Sequence, residues 1–81
     1  MNDLESAEKI SIDIKKLERN LKQVGDINFE GKEKEVYDRA VDYMNDSKYY
    51  LEKKKDMRTA FGCIEYSHGL LDALRMIHGL I

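Results

Sequence analysis

Glu65, His68 and Asp72 are the side chains in this sequence whose types and spacing come nearest to a chemical site. A glutamate and a histidine three residues apart on a helix point the same way, and such pairs form half of a carboxylate di-metal site. Residues 1–64 contain no second Glu-x-x-His pair, although a second copy of the chain could supply one by symmetry. The structural alternative is a polar stripe, in which Arg75 pairs with Asp72 and His68 is shared with Glu65 or Asp72. We assign no metal and no cofactor.

Two other groups of residues have chemical potential. Cys63 has no basic neighbour within its helical turn, so we expect a buried structural cysteine rather than a reactive thiolate. Residues 53–58 contain three lysines and Arg58, and they could contact RNA phosphates while Tyr49 and Tyr50 stack on bases. The alternative for this segment is a solvated turn. With no glycine-rich phosphate loop and no nucleophile elbow in the sequence, we expect that the protein is not an enzyme.

Size and charge restrict the class of protein further. The chain has 81 residues, a formal net charge of −2 and one cysteine. We therefore predict one domain over residues 1–81, with no internal disulfide. The charge does not favour general binding to nucleic acid. No apolar run approaches the roughly 20 residues that span a bilayer, so we expect a soluble cytoplasmic protein with no membrane contact.

The elements that must position these side chains are three helices, which we predict at about residues 3–24, 30–53 and 57–78. The first helix carries apolar residues at steps of three and four, a heptad seam: Ala7, Ile10, Ile14, Leu17, Leu21 and Val24. Ile27 and Phe29 in the following loop should fold back onto the helices. A short turn at residues 53–56 makes the second and third helices antiparallel neighbours. The predicted fold is all-α: an up-down-up antiparallel three-helix bundle with left-handed twist, like a spectrin repeat.

The third helix has an unusual composition, because it is apolar or small around most of its circumference. Its predicted buried face is the row Ala60, Cys63, Ile64, Ser67, Leu71 and Leu74, widened by Leu70 and Ile77. Opposite this face lie two glycines seven residues apart, Gly62 and Gly69, together with Ala73. Tyr66 lies beside them. Each glycine costs the helix about 1 kcal/mol relative to alanine, so the pair needs a reason. Either another helix or a tyrosine ring of this chain packs closely there, or these four residues form an interface with a second molecule.

The segment at residues 60–73 reads A-F-G-C-I-x-Y-x-H-G-L-L-D-A. With residues 46–53 and Asp56, this block resembles a small archaeal family known as domain of unknown function 357. The resemblance implies a three-helix bundle in the archaeal cytoplasm and no established activity. Family members usually have a glycine near the turn where this chain has Lys54 or Lys55. Some relatives are joined to a nucleotidyltransferase-like domain, which implies an accessory or adaptor role.

These observations favour an interaction module that self-associates or docks on a protein partner through its third helix. The interface candidates are Gly62, Tyr66, Gly69 and Ala73. Two alternatives remain at this point: a ligand- or metal-binding bundle that uses Glu65, His68 and Asp72, and an RNA- or nucleotide-linked accessory domain.

Overall fold

A computed structural model describes the backbone of residues 3–81 and the side chains from residue 6 onward. It contains three helices: α1 (Asp3–Gln23), α2 (Gly31–Glu52) and α3 (Met57–Ile77). Residues 3–81 include no β-strand, so the predicted all-α three-helix fold is confirmed. Within the same residues, no helix is both long and apolar enough to cross a membrane.

Hydrogen bonds between side chains and backbone fix the directions of the helices. Ser47 of α2 bonds to Ala60 of α3, and Ser67 of α3 bonds to Ala40 of α2, so the sequence numbers run in opposite directions along this pair. His68 meets Asp13 near the middle of α1, and Arg75 meets the last residue of α1. Helices α1 and α3 are therefore parallel, with α2 antiparallel to both.

Apolar side chains at heptad spacing on α1 form a large part of the core. Ile10, Ile14, Leu17 and Val24 are buried, and Ala7 and Leu21 pack against them. From α3 the core receives Ala60, Ile64, Leu71 and Leu74, all at most 1% exposed. Ile12 lies off the seam and is exposed, as its position in the heptad predicts. The predicted seam of α1 is confirmed.

Helices α2 and α3 are joined by a reciprocal pair of buried serines. The hydroxyl of Ser47 donates to the carbonyl oxygen of Ala60 at 2.7 Å. The hydroxyl of Ser67 donates to the carbonyl oxygen of Ala40 at 2.5 Å. All four residues are 0% exposed. Small side chains at these positions let the two backbones approach closely, and the hydroxyls satisfy their own hydrogen-bonding capacity at the contact.

The loop between α1 and α2 folds back onto the end of α3, as predicted from its apolar residues. Phe29 is buried. Its ring stacks on Tyr37 with the centroids 5.4 Å apart, and His78 meets it edge-on at 5.2 Å. Nε2 of His78 also pairs with Glu33 at the start of α2. This aromatic group closes one end of the bundle.

The turn between α2 and α3 contains a strained residue. Lys55 has a φ of 56°, and it is the only non-glycine between residues 3 and 81 with a positive φ. The N–H of the next residue, Asp56, donates to the carbonyl of Tyr50 at 2.9 Å, which closes α2. The left-handed conformation thus falls where relatives were expected to carry glycine.

Lys55→Gly is expected to raise the free energy of unfolding by about 0.5–1 kcal/mol. A left-handed conformation costs an L-residue about 1–2 kcal/mol, and glycine removes this cost. Part of the resulting gain in stability is cancelled by the greater conformational freedom of glycine in the unfolded chain. Urea denaturation measures the change, with Lys54→Gly as the control, because Lys54 has no positive φ. Equal effects of the two substitutions would show that strain at Lys55 is not the cause.

Asp56 begins α3 as its N-cap. Its carboxylate accepts from the Thr59 amide at 3.1 Å and from the Thr59 hydroxyl at 2.6 Å. The bond from the hydroxyl is the largest cause that holds the pKa of Asp56 below its ordinary value, and the bond from the amide adds to it.

We expect Asp56→Ala to lower stability at neutral pH, because α3 loses its cap. The folded-state pKa of Asp56 is depressed, so its contribution is present above the unfolded pKa of about 4 and is lost as the pH falls through the folded pKa. Thermal unfolding between pH 7 and pH 2 measures the difference between the two proteins. A difference that stays constant over this range would contradict the capping role.

Candidate functional site

The polar stripe on α3 binds α1 rather than forming an open site. Nε2 of His68 lies 2.9 Å from the carbonyl oxygen of Asp13. Because a carbonyl can only accept, Nε2 carries the proton and donates it. The prediction that His68 is shared with Glu65 or Asp72 is wrong, since α1 supplies its partner.

Arg75 makes the second contact between α3 and α1. It pairs with Asp72 at 2.9 Å, as the structural alternative predicted, and its Nε donates to the side chain of Gln23 at 2.8 Å. His68 and Arg75 therefore attach α3 to the middle and the end of α1. The fourth residue of the stripe, Glu65, is exposed and forms no ion pair with any described side chain.

The arrangement does not assemble a metal site within one chain. Among the residues that the structure describes, no group of three or more histidine, cysteine, aspartate or glutamate side chains could hold a metal ion. The donors of Glu65, His68 and Asp72 are dispersed because His68 turns towards α1 and Asp72 towards Arg75.

Cys63 is only half-buried, so the prediction of a buried cysteine is wrong. It lies at the edge of the contact between α3 and α2, not within it. Partial burial is the main cause that raises the pKa of its thiol, and the negative charges of Asp46 and Asp56 add to the effect. The thiol therefore stays protonated at neutral pH, as expected of an unreactive cysteine.

The basic segment at residues 53–58 remains a solvated turn with mixed charge. Its lysines are exposed beside two exposed carboxylates, Glu52 and Asp56. The ammonium of Lys54 lies 5.9 Å from the ring centroid of Tyr49, so one face of this ring already has a cation next to it. This geometry does not favour an RNA site.

The outer face of α3, which we define as Gly62, Tyr66, Gly69, Ala73, Met76 and Ile77, is solvent-exposed. Tyr66 is 51% exposed, Met76 67% and Ile77 66%. Apart from its chain neighbours and the backbone of α3 itself, a Cβ atom added at Gly62 or at Gly69 would meet no described atom within 4 Å. Close internal packing therefore does not explain the glycines. Tyr43 of α2 packs on Tyr66, with the ring centroids 4.6 Å apart, and leaves the glycines uncovered.

Two residues of the outer face were not assigned to it from the sequence. Ile77 was expected to widen the core, and this prediction is wrong. It lies on the flank of α3 that faces α2, and the register of the two serine bonds places it opposite residue 30, just before α2 begins at Gly31. Met76 was not singled out. The signal was present in the spacing, since steps of four, three, four and three lead from Gly62 through Ala73 to Met76.

The fold and the site define a small all-α bundle with a buried apolar core, an uncharged exposed face on α3 and a polar stripe on α3 that contacts α1. The chain belongs to the family described as Protein of unknown function (DUF357), whose model matches residues 13–80. The resemblance of residues 60–73 to this family is thus confirmed, and all eight candidate residues lie within the matched segment. None of the curated proteins compared with the chain matches it.

Proposed function

We propose that this protein is a non-enzymatic interaction module that binds another protein molecule through the outer face of α3. The face is uncharged along its whole length, from Gly62 to Ile77. Exposed large apolar side chains grouped on one helix are typical of surfaces that another protein covers.

The observation that carries the proposal is the open space at Gly62 and Gly69. Each glycine costs α3 about 1 kcal/mol relative to alanine, and no described part of the chain makes use of the missing side chain. A small domain has little stability to spare. Close approach of an outside helix backbone or of a bulky ring would use the space that both glycines leave.

The chemistry of the outer face favours a protein as the partner. Nucleic acid binding relies on lysine and arginine contacts to phosphates, and the outer face contains neither residue. An adaptor role in the cytoplasm is consistent with such a surface. The partner can be a second copy of the chain or a different protein.

Site-specific photo-crosslinking tests the proposal. A benzoylphenylalanine at position 73 is expected to form an adduct of discrete mass in the native cells, because Ala73 is an exposed residue of the outer face. The control is the same group at Lys32 on α2, whose side chain is 92% exposed. The absence of an adduct at position 73, or equal labelling at both positions, would contradict the proposal.

A further inference from the structure

The outer face of α3 contains a second heptad seam. Gly62, Tyr66, Gly69, Ala73 and Met76 follow one another at steps of four, three, four and three. The buried face of the same helix has the same steps, from Ala60 through Ile64, Ser67 and Leu71 to Leu74. This spacing allows a straight line of contact with another helix. The first seam is covered by α1 and α2, and the second is exposed.

The order of side-chain sizes along the exposed seam is complementary to its own reverse. It reads small, large, small, small, large from Gly62 to Met76. When a copy of the seam is laid antiparallel about an axis near Gly69, Tyr66 of each copy meets Gly69 and Ala73 of the other. Met76 then meets the partner copy's glycine at position 62. A parallel pair in register would instead place tyrosine on tyrosine and methionine on methionine.

We propose that the occupant of the outer face is a second copy of this chain, bound antiparallel along α3. This inference rests on the proposed function and identifies the partner for that same surface. A two-fold interface requires a patch that is complementary to itself, and the outer face supplies both the large side chains and the spaces that receive them. Tyr66 is already supported in place by Tyr43, so little of its freedom is lost on association.

The size of the outer face indicates how tight the dimer should be. The residues from Gly62 to Ile77 extend for about 22 Å of helix, roughly 10 Å wide. Two such faces together cover on the order of 440 Å², well below the roughly 1,200 Å² of a standard stable complex. The structure therefore predicts a weak dimer whose population depends strongly on protein concentration.

Charges beside the seam predict how the dimer responds to salt. In the antiparallel arrangement the same flank of each helix meets its counterpart, so Glu65 of one copy lies opposite Asp72 of the other. Asp72 is already paired with Arg75, whereas Glu65 has no ion-pair partner among the described side chains. The carboxylates repel each other weakly, so raising the salt concentration is expected to strengthen association by screening.

Cysteine crosslinking of the full chain tests the arrangement directly. In a Cys63→Ser background, Gly62→Cys and Met76→Cys are prepared as two separate proteins. Each protein, at millimolar protein concentration, is treated with a short bis-maleimide. Antiparallel pairing predicts that neither protein crosslinks with itself and that an equal mixture forms a covalent heterodimer. The control is Ile12→Cys, at a residue that is exposed on α1. This variant should form no covalent dimer with itself, with Gly62→Cys or with Met76→Cys.

The other outcomes overturn the inference in different ways. Self-crosslinking of both single variants would show a parallel pair. No crosslink in any mixture, together with a strictly monomeric protein in sedimentation equilibrium, would exclude the second copy as occupant. If the native-cell adduct at position 73 then contains a different protein, the proposed function survives without this inference. If no adduct forms at position 73, both the proposed function and this inference are contradicted.

Discussion

Replacing Ser67 with leucine is expected to lower the free energy of unfolding by about 3 kcal/mol, enough to unfold much of a marginal small domain. Ser67 is 0% exposed, and its hydroxyl donates to the carbonyl of Ala40 across the α2–α3 contact. A leucine cannot fit there without separating the two helices, and it also removes the hydrogen bond. Urea denaturation followed by circular dichroism measures the loss.

Two matched variants separate the causes of this loss. Ser67→Ala removes only the hydrogen bond and should cost about 1 kcal/mol. Ser11→Leu makes the same change of side chain beside an open groove of about 500 Å³ that includes Ile12 and Leu51, so it should be tolerated. If Ser67→Leu were no worse than Ser11→Leu, the α2–α3 contact would not be tightly packed at this position.

The double variant Gly62→Ala/Gly69→Ala is expected to be more stable than the natural protein by about 2 kcal/mol, close to 1 kcal/mol at each site. Each new Cβ atom meets no described atom within 4 Å apart from its chain neighbours and the backbone of α3 itself, so only the gain in helix propensity remains. The same variant should associate more weakly, because two methyl groups now stand where another backbone approaches. Urea denaturation at low concentration and sedimentation equilibrium at high concentration measure the two effects.

The control for this pair is Gly25→Ala, where an added Cβ would lie 3.3 Å from the carbonyl oxygen of Lys22. We expect no comparable gain in stability there. A double variant that is less stable than the natural protein would show that the bundle itself requires the glycines. A double variant that associates as well as the natural protein would separate the glycines from binding.

Periodicity alone was sufficient to predict the helices and most of the core. The heptad seam of α1 and, apart from Cys63, the row from Ala60 to Leu74 on α3 place their residues correctly, because burial follows from helical geometry once a face is apolar. The reciprocal serine bonds also correspond to a pattern in the sequence. An alanine followed seven residues later by a serine occurs in both α2 and α3, at Ala40 and Ser47 and at Ala60 and Ser67.

What the sequence did not reveal depends on how far one helix extends along another. His68 binds the backbone of Asp13, and no spacing within α3 specifies which part of α1 lies opposite. Ile77 is exposed because it lies opposite the start of α2, which begins only at Gly31. Cys63 lies at the border of the buried face, about 20° around the helix from the buried Leu74. The open space at the two glycines likewise depends on where the other helices lie, which no spacing within α3 specifies.

The central claim is that the outer face of α3, rather than any other surface, meets another protein molecule. The most direct test is a two-dimensional ¹⁵N–¹H spectrum of the labelled protein, recorded in buffer and in concentrated extract of its native cells. The amide signals of Gly62 and Gly69 are predicted to shift or broaden first, while that of Gly25, which follows α1, stays unchanged. Unchanged signals from Gly62 and Gly69, or changes that begin at Gly25, would contradict the claim.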